Sequence, residues 1–106
     1  MTTFDGRLQG ELARFHHDQE IGFRIRLRRD KLFGLEVAAM LGLEGAAAAD
    51  YAKELVIADM SEAGDDVILR KVRADLEAKS VAVDLEGLKR DLVKLQSEAQ
   101  HQVMNE

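Results

Sequence analysis

The chain has no cysteine, no proline and no tryptophan, and only one tyrosine. Without cysteine there is no disulfide and no thiolate-bound metal, a composition compatible with a reducing compartment. Without proline the commonest helix breaker is missing, which suits an all-helical chain. No apolar run approaches the roughly 18 residues that a membrane span needs. The N-terminus lacks a basic region followed by an apolar core, so no secretory signal is expected. These absences predict a cytoplasmic chain with no direct membrane insertion. Enzyme motifs are missing as well. There is no GxxxxGK[ST] loop, no GxGxxG after a strand and no GxSxG elbow. Ser61, Ser80 and Ser97 have no recognisable base partner. The expectation is a protein that is not an enzyme and carries no cofactor.

What is present is helix-forming. The 106 residues fit one domain. Hydrophobic residues make up 46% and charged residues 33%, with alanine, leucine, glutamate, lysine and arginine dominant. The formal net charge is −5, unevenly spread. From Ile21 to Lys31, Arg24, Arg26, Arg28, Arg29 and Lys31 face Asp30 alone, a local +4 against −9 for the remainder. Overall acidity argues against a general nucleic-acid binder.

The opening stretch has an apolar stripe at Phe4, Leu8, Leu12, Phe15 and Phe23, with Leu27 further on, at mostly helical spacing. Gly6, Gly10 and Gly22 interrupt it, each costing about 1 kcal/mol relative to alanine in a helix interior. An apolar face with poor intrinsic helicity either packs on its own domain or orders on a partner. Residues 1–20 are therefore read as a partly mobile, projecting helical segment. Residues 21–106 are read as its compact base.

In that base, a stronger helical portion runs from about Ile21 to Leu41. Its apolar residues Leu32, Phe33, Leu35, Val37, Met40 and Leu41 cover a broad arc, so contact from more than one side is expected. Gly34 is read as tolerated, with close helix packing as one reason, and Gly42 as the stop. A second helix begins in Ala46–Ala49 and runs to about Ser61, with Tyr51, Leu55 and Ala58 on one face. Gly64 ends it, and Asp65 or Asp66 caps a third helix to about Lys79. Ser80 to Val83 is a connector. Asp84 caps the last helix, where Leu85, Leu88, Leu92, Leu95, Ala99 and Val103 give the clearest period in the chain. Short connections between these helices predict a small all-α four-helix bundle with antiparallel neighbours.

Candidate sites each have a plainer reading. His16 and His17 point about 100° apart on a helix and do not chelate one metal together; solvated side chains beside Phe15 account for them. Asp59, Glu62, Asp65 and Asp66 lack the EF-hand alternation of ligands; capping and solvation explain them more simply. The basic stripe reads as a solvated face, as a grip on an acidic partner, or as a phosphate contact. If residues 1–20 are mobile, Phe4 and Phe15 become anchors for helix-in-groove binding.

A resemblance runs through these residues. Met1-Thr2-Thr3-Phe4-Asp5, then Phe15-x-His17-Asp18-x-Glu20-x-x-Phe23-Arg24, then Arg28-Arg29-x-Lys31-Leu32-x-Gly34-Leu35 resemble the inhibitory zeta subunits of alphaproteobacterial F-type ATP synthases. The similarity continues through Tyr51-Ala52-Lys53-Glu54, Ala58-Asp59, Glu62-Ala63-Gly64-Asp65 and Arg70-Lys71-Val72-Arg73-Ala74-Asp75, collinear over nearly the whole chain. It departs at Glu36, where family members usually have tryptophan, and at Gly6, Gly10 and Gly22, where helix formers are typical. The resemblance implies a four-helix protein that blocks ATP hydrolysis by the catalytic head of the synthase. Its N-terminal helix would insert at a catalytic interface, and the protein would sit peripheral to the inner membrane through that complex. By resemblance, Phe4, Arg7, Leu8, Leu12, Phe15, Asp18 and Phe23 are the contact residues; the basic stripe adds Arg24, Arg28 and Arg29 as partner-binding candidates in their own right. Two alternatives stand beside this reading: a non-inhibitory regulatory or assembly partner, and a helical module with weak nucleotide binding.

Overall fold

The computed structural model describes residues 2–62 and 64–106, with the side chains of residues 17–62 and 64–106. Four helices follow one another: α1 (Thr2–Met40), α2 (Gly45–Ser61), α3 (Asp66–Ala78) and α4 (Leu85–Met104). No strand occurs among the described residues. The two helical portions expected on either side of residue 20 are one continuous helix. Gly22 and Gly34 lie inside it without ending it, because a single glycine costs only about 1 kcal/mol.

Helix lengths decide the architecture. The 39 residues of α1 make a rod of about 58 Å at 1.5 Å per residue. The 20 residues of α4 reach about 30 Å, so the other helices can cover only part of α1. Among the described side chains, His17, Asp18, Gln19 and Glu20 are all exposed, and packing begins at Ile21 and Ile25. From there α1 lies chiefly against α2 and α4, and α3 closes the bundle over them.

The helix ends are locally encoded. Gly42 has φ +79°. Leu43 N–H donates to the Ala38 carbonyl at 2.8 Å and Gly42 N–H to the Ala39 carbonyl at 3.1 Å. This is a Schellman closure, with the glycine in the left-handed position. Helix α3 ends in the same way, but with a serine there. Ser80 has φ +58°, Val81 N–H donates to Leu76 at 2.9 Å, and Ser80 N–H to Glu77 at 3.0 Å. Gly64, at φ +88°, turns the chain between α2 and α3. Asp84 caps α4, its side chain accepting from Gly87 N–H at 3.0 Å. Asp65 occupies the N-cap position of α3 without a side-chain cap bond; its carboxylate is used elsewhere.

The main core joins Phe33 and Val37 of α1, Leu55 of α2, and Ile68, Val72 and Leu76 of α3, all fully buried, to Leu88, Leu92 and Leu95 of α4. A smaller cluster of Ile25, Ala99 and Val103 continues along α1 and α4. The period read in α4 is the buried face of that helix, except that Leu85 is only half-buried. On α1, Leu35 and Met40 stand outside the core while Phe33, Val37 and Ala38 are inside it.

Candidate functional site

Charged residues gather where α1 begins to pack. Arg26 and Asp30 precede Phe33 and Val37 by the helical steps that put all four on one face of α1. Asp59 likewise follows Tyr51 and Leu55 on the buried face of α2. Continuing each apolar stripe by one turn therefore brings acids and bases, not leucines, into the contact between the two helices. Asp30 is 0% exposed, Asp59 2% and Arg29 7%.

The cluster is tightly bonded. Arg26 grips Asp59 with two parallel bonds, Nε to Oδ2 at 2.7 Å and Nη2 to Oδ1 at 2.8 Å. This is the bidentate geometry that only arginine supplies. Arg29 donates Nε and Nη2 to Asp30 Oδ1 at 3.0 and 2.9 Å, and Nη2 also to Asp65 Oδ1 at 2.9 Å. Asp59 Oδ2 lies 3.7 Å from Arg29 Nη2. The remaining oxygen, Asp30 Oδ2, is buried with no hydrogen-bond donor.

These contacts reset the titrations. Hydrogen bonding to Asp59 holds the Arg26 guanidinium above its ordinary value. Burial opposes the charge on Arg29, but the bonds to Asp30 and Asp65 outweigh it and raise that group too. Burial also opposes the charge on Asp59; the bonds from Arg26 and Asp30 overcome it and lower that carboxyl. Asp30 goes the other way. Burial, then hydrogen bonding to Asp59, push it up to about 7.

A second cluster lies on the solvent side of α1. Arg24 and Arg28 both reach Glu106, and Arg28 Nη1 donates to Gln102 Oε1 at 2.9 Å. Hydrogen bonding to Arg28 holds the Glu106 carboxyl below the ordinary carboxylate range. Near the emergence of α1 from the bundle, Phe23 is 50% exposed and Met60 60% exposed, and both line a shallow pocket with Leu27.

Several sequence expectations are revised here. The acidic residues at the end of α2 are not merely capping and solvated, because Asp59 is buried against Arg26 and Asp65 accepts from Arg29. The basic stripe is not a single solvated face: Arg29 is buried, while Arg24, Arg26 and Arg28 are ion-paired but partly exposed. Arg29, expected as a partner contact, is consumed inside the protein. Asp18 and Phe23 are exposed. Phe4, Arg7, Leu8, Leu12 and Phe15 lie outside the described side chains. The sequence reading missed Asp30, Asp59 and Glu106 as partners of the arginines. For the first two, a signal was present: an acid at a position that the apolar period assigns to the core.

No group of His, Cys, Asp or Glu among the described residues could hold a metal ion. No helix among them is long and apolar enough to cross a membrane. The fold defines a small all-α protein organised around one long helix. The family model for ATPase inhibitor subunit zeta matches residues 1–102, and the chain belongs to that family. A protein solved by solution NMR is similar, with 38% sequence identity and a TM-score of 0.70, the match covering 78% of this chain and 94% of that one. Comparison with curated protein sequences finds no match.

Proposed function

We propose that this chain restrains ATP hydrolysis by the catalytic head of an F-type ATP synthase. Residues 1–20 bind as a helix at a catalytic interface, and residues 21–106 form the bundle that presents them. The observation that carries the reading is the family match, which includes the opening segment as well as the bundle. The continuity of α1 through residue 20 supports it physically, because a helix rooted in a folded bundle starts with part of its ordering cost already met. Residues 17–20 are exposed on that rod, which leaves Asp18 accessible to a partner. On this reading the protein acts by binding rather than by catalysis, at the synthase and peripheral to the membrane.

Phe4, Arg7, Leu8, Leu12 and Phe15 are the proposed contacts of the segment, with Phe23 and Arg24 at its root. The test is ATP hydrolysis by the cognate head with the full chain and with a form lacking residues 1–19. Inhibition by the full chain alone is expected. Equal inhibition by the truncated form would overturn the assignment to residues 1–20.

A second reading, a regulatory or assembly partner that does not inhibit, is favoured by the exposed Phe23 and Met60 on the bundle itself. It predicts that truncation leaves binding to the head intact and that charge reversal at Arg24 and Arg28 removes it.

A further inference from the structure

We propose that Asp30 and Asp59 share a single proton in the folded protein, and that this proton locks α1 onto α2, loosening the contact when it leaves.

The charge balance of the cluster is the first support. Two guanidinium groups, on Arg26 and Arg29, face three carboxylates, on Asp30, Asp59 and Asp65. Asp65 is partly solvated, but Arg29 is shared among all three acids, so buried Asp30 has no counter-ion of its own. A buried charge so weakly compensated is more costly than a neutral acid in the same place. The cheapest place for the compensating proton is the carboxyl most remote from water. Asp65 is the exposed member, and Asp59 is already held by the two bonds of Arg26. Asp30, fully buried, remains.

The orphaned oxygen is the second support. Asp30 Oδ1 accepts two bonds from Arg29, while Oδ2 has no donor to accept from. As a carboxylate, Asp30 would leave that oxygen unsatisfied in the interior. As a carboxylic acid it becomes a donor, and the neighbouring Asp59 carboxylate is the acceptor. The elevation of Asp30 to about 7, with Asp59 lowered, agrees with this assignment. The two groups titrate as a pair.

Charged groups face the pair from every side. On α1 they are Arg26 and Arg29; on α2, Asp59 itself; and in the connection to α3, Asp65. Helix α3 contributes the apolar Leu69 and α4 contributes Lys89 to the cavity of about 490 Å³ that Arg29 and Asp65 also line.

The direction of the pH effect follows from linkage. Native Asp30 keeps its proton to a higher pH than the unfolded chain does. Its contribution to stability is therefore complete in acid, falls as pH rises above about 4 and is gone above about 7. Asp59 acts oppositely: its contribution is present above the ordinary aspartate range and is lost as pH falls through its lowered value.

Carboxyl-carbon NMR titration of the full chain tests the proton directly. The Asp30 carbon is expected to titrate near pH 7, with Asp59 already ionised there; titration of Asp30 below pH 5 overturns the proposal. Asp30→Asn keeps a donor toward Asp59 and removes the proton. The urea midpoint of the wild type should fall between pH 5 and 8, and that of the variant should stay flatter. Amide exchange, corrected for intrinsic pH dependence, tests the lock. Residues 26–33 should lose protection over the same range in the wild type but not in Asp30→Asn. Equal behaviour of the two proteins would overturn the lock, whatever the titration shows. If the variant fails to fold, the wild-type titration and wild-type exchange decide alone.

Discussion

Gly34 of α1 lies directly against the backbone of Ala52 in α2: a Cβ built on the glycine would sit 2.6 Å from Ala52 Cα and 3.0 Å from Ala52 Cβ. The two helices cross at a point where there is no room for a side chain, and Phe33, Val37 and Leu55 pack fully buried in the core that the crossing serves. Gly34→Ala is thus expected to destabilise the protein by about 2 kcal/mol, overpacking outweighing the gain in helix propensity. Urea denaturation measures it. Adding Ala52→Gly should rescue little, because the shorter contact is with backbone.

Gly22 is the opposite case. It is exposed and has nothing within 4 Å of an added Cβ. Gly22→Ala should stiffen α1 around the root of the N-terminal segment, by about 1 kcal/mol of helix propensity. Slower amide exchange across residues 18–26, with an unchanged core, is the expected result.

Ser80 occupies the left-handed position of a Schellman closure, at φ +58°. A residue with a Cβ pays roughly 1 kcal/mol there that glycine does not. Ser80→Gly should raise the urea midpoint accordingly, whereas the same change at an exposed helical position such as Ser97 should lower it.

Asp59 holds Arg26 in a bidentate pair and lies 3.7 Å from Arg29. Asp59→Ala leaves Arg29 buried with one partner fewer and Arg26 with none of its paired bonds. A loss of about 2 kcal/mol is expected, the scale of losing charged hydrogen bonds where the freed Arg26 can still reach water and Arg29 keeps Asp30 and Asp65. By contrast, Glu106→Gln, at an exposed pair with Arg24 and Arg28, should change the urea midpoint little, and that small change should shrink further with added salt.

Much of the architecture was legible because its causes are local. The helix count, the stop at Gly42, the Asp84 cap and the inward face of α4 all follow from cap chemistry, a left-handed glycine and a period of 3.6, whereas α2 ends at Ser61 with Glu62 extended and Gly64 only turns the connection. Even the tolerance of Gly34 pointed to a close helix contact. The continuity of α1 through residue 20 was less legible, since a few glycines lower helicity without marking an end.

What the sequence by itself determined is therefore where the helices lie and which stripe of each is apolar. Only the tertiary structure decided which charges meet. Arg26 and Asp59 are 33 positions apart, and Arg29 and Asp65 are 36 apart. A helical period fixes the phase of each side chain on its own helix but carries no information on the register between two helices. That register comes from packing: Gly34 seats against Ala52, and the seating brings Arg29, Asp30 and Asp59 into one buried cluster, with Arg26 at its rim.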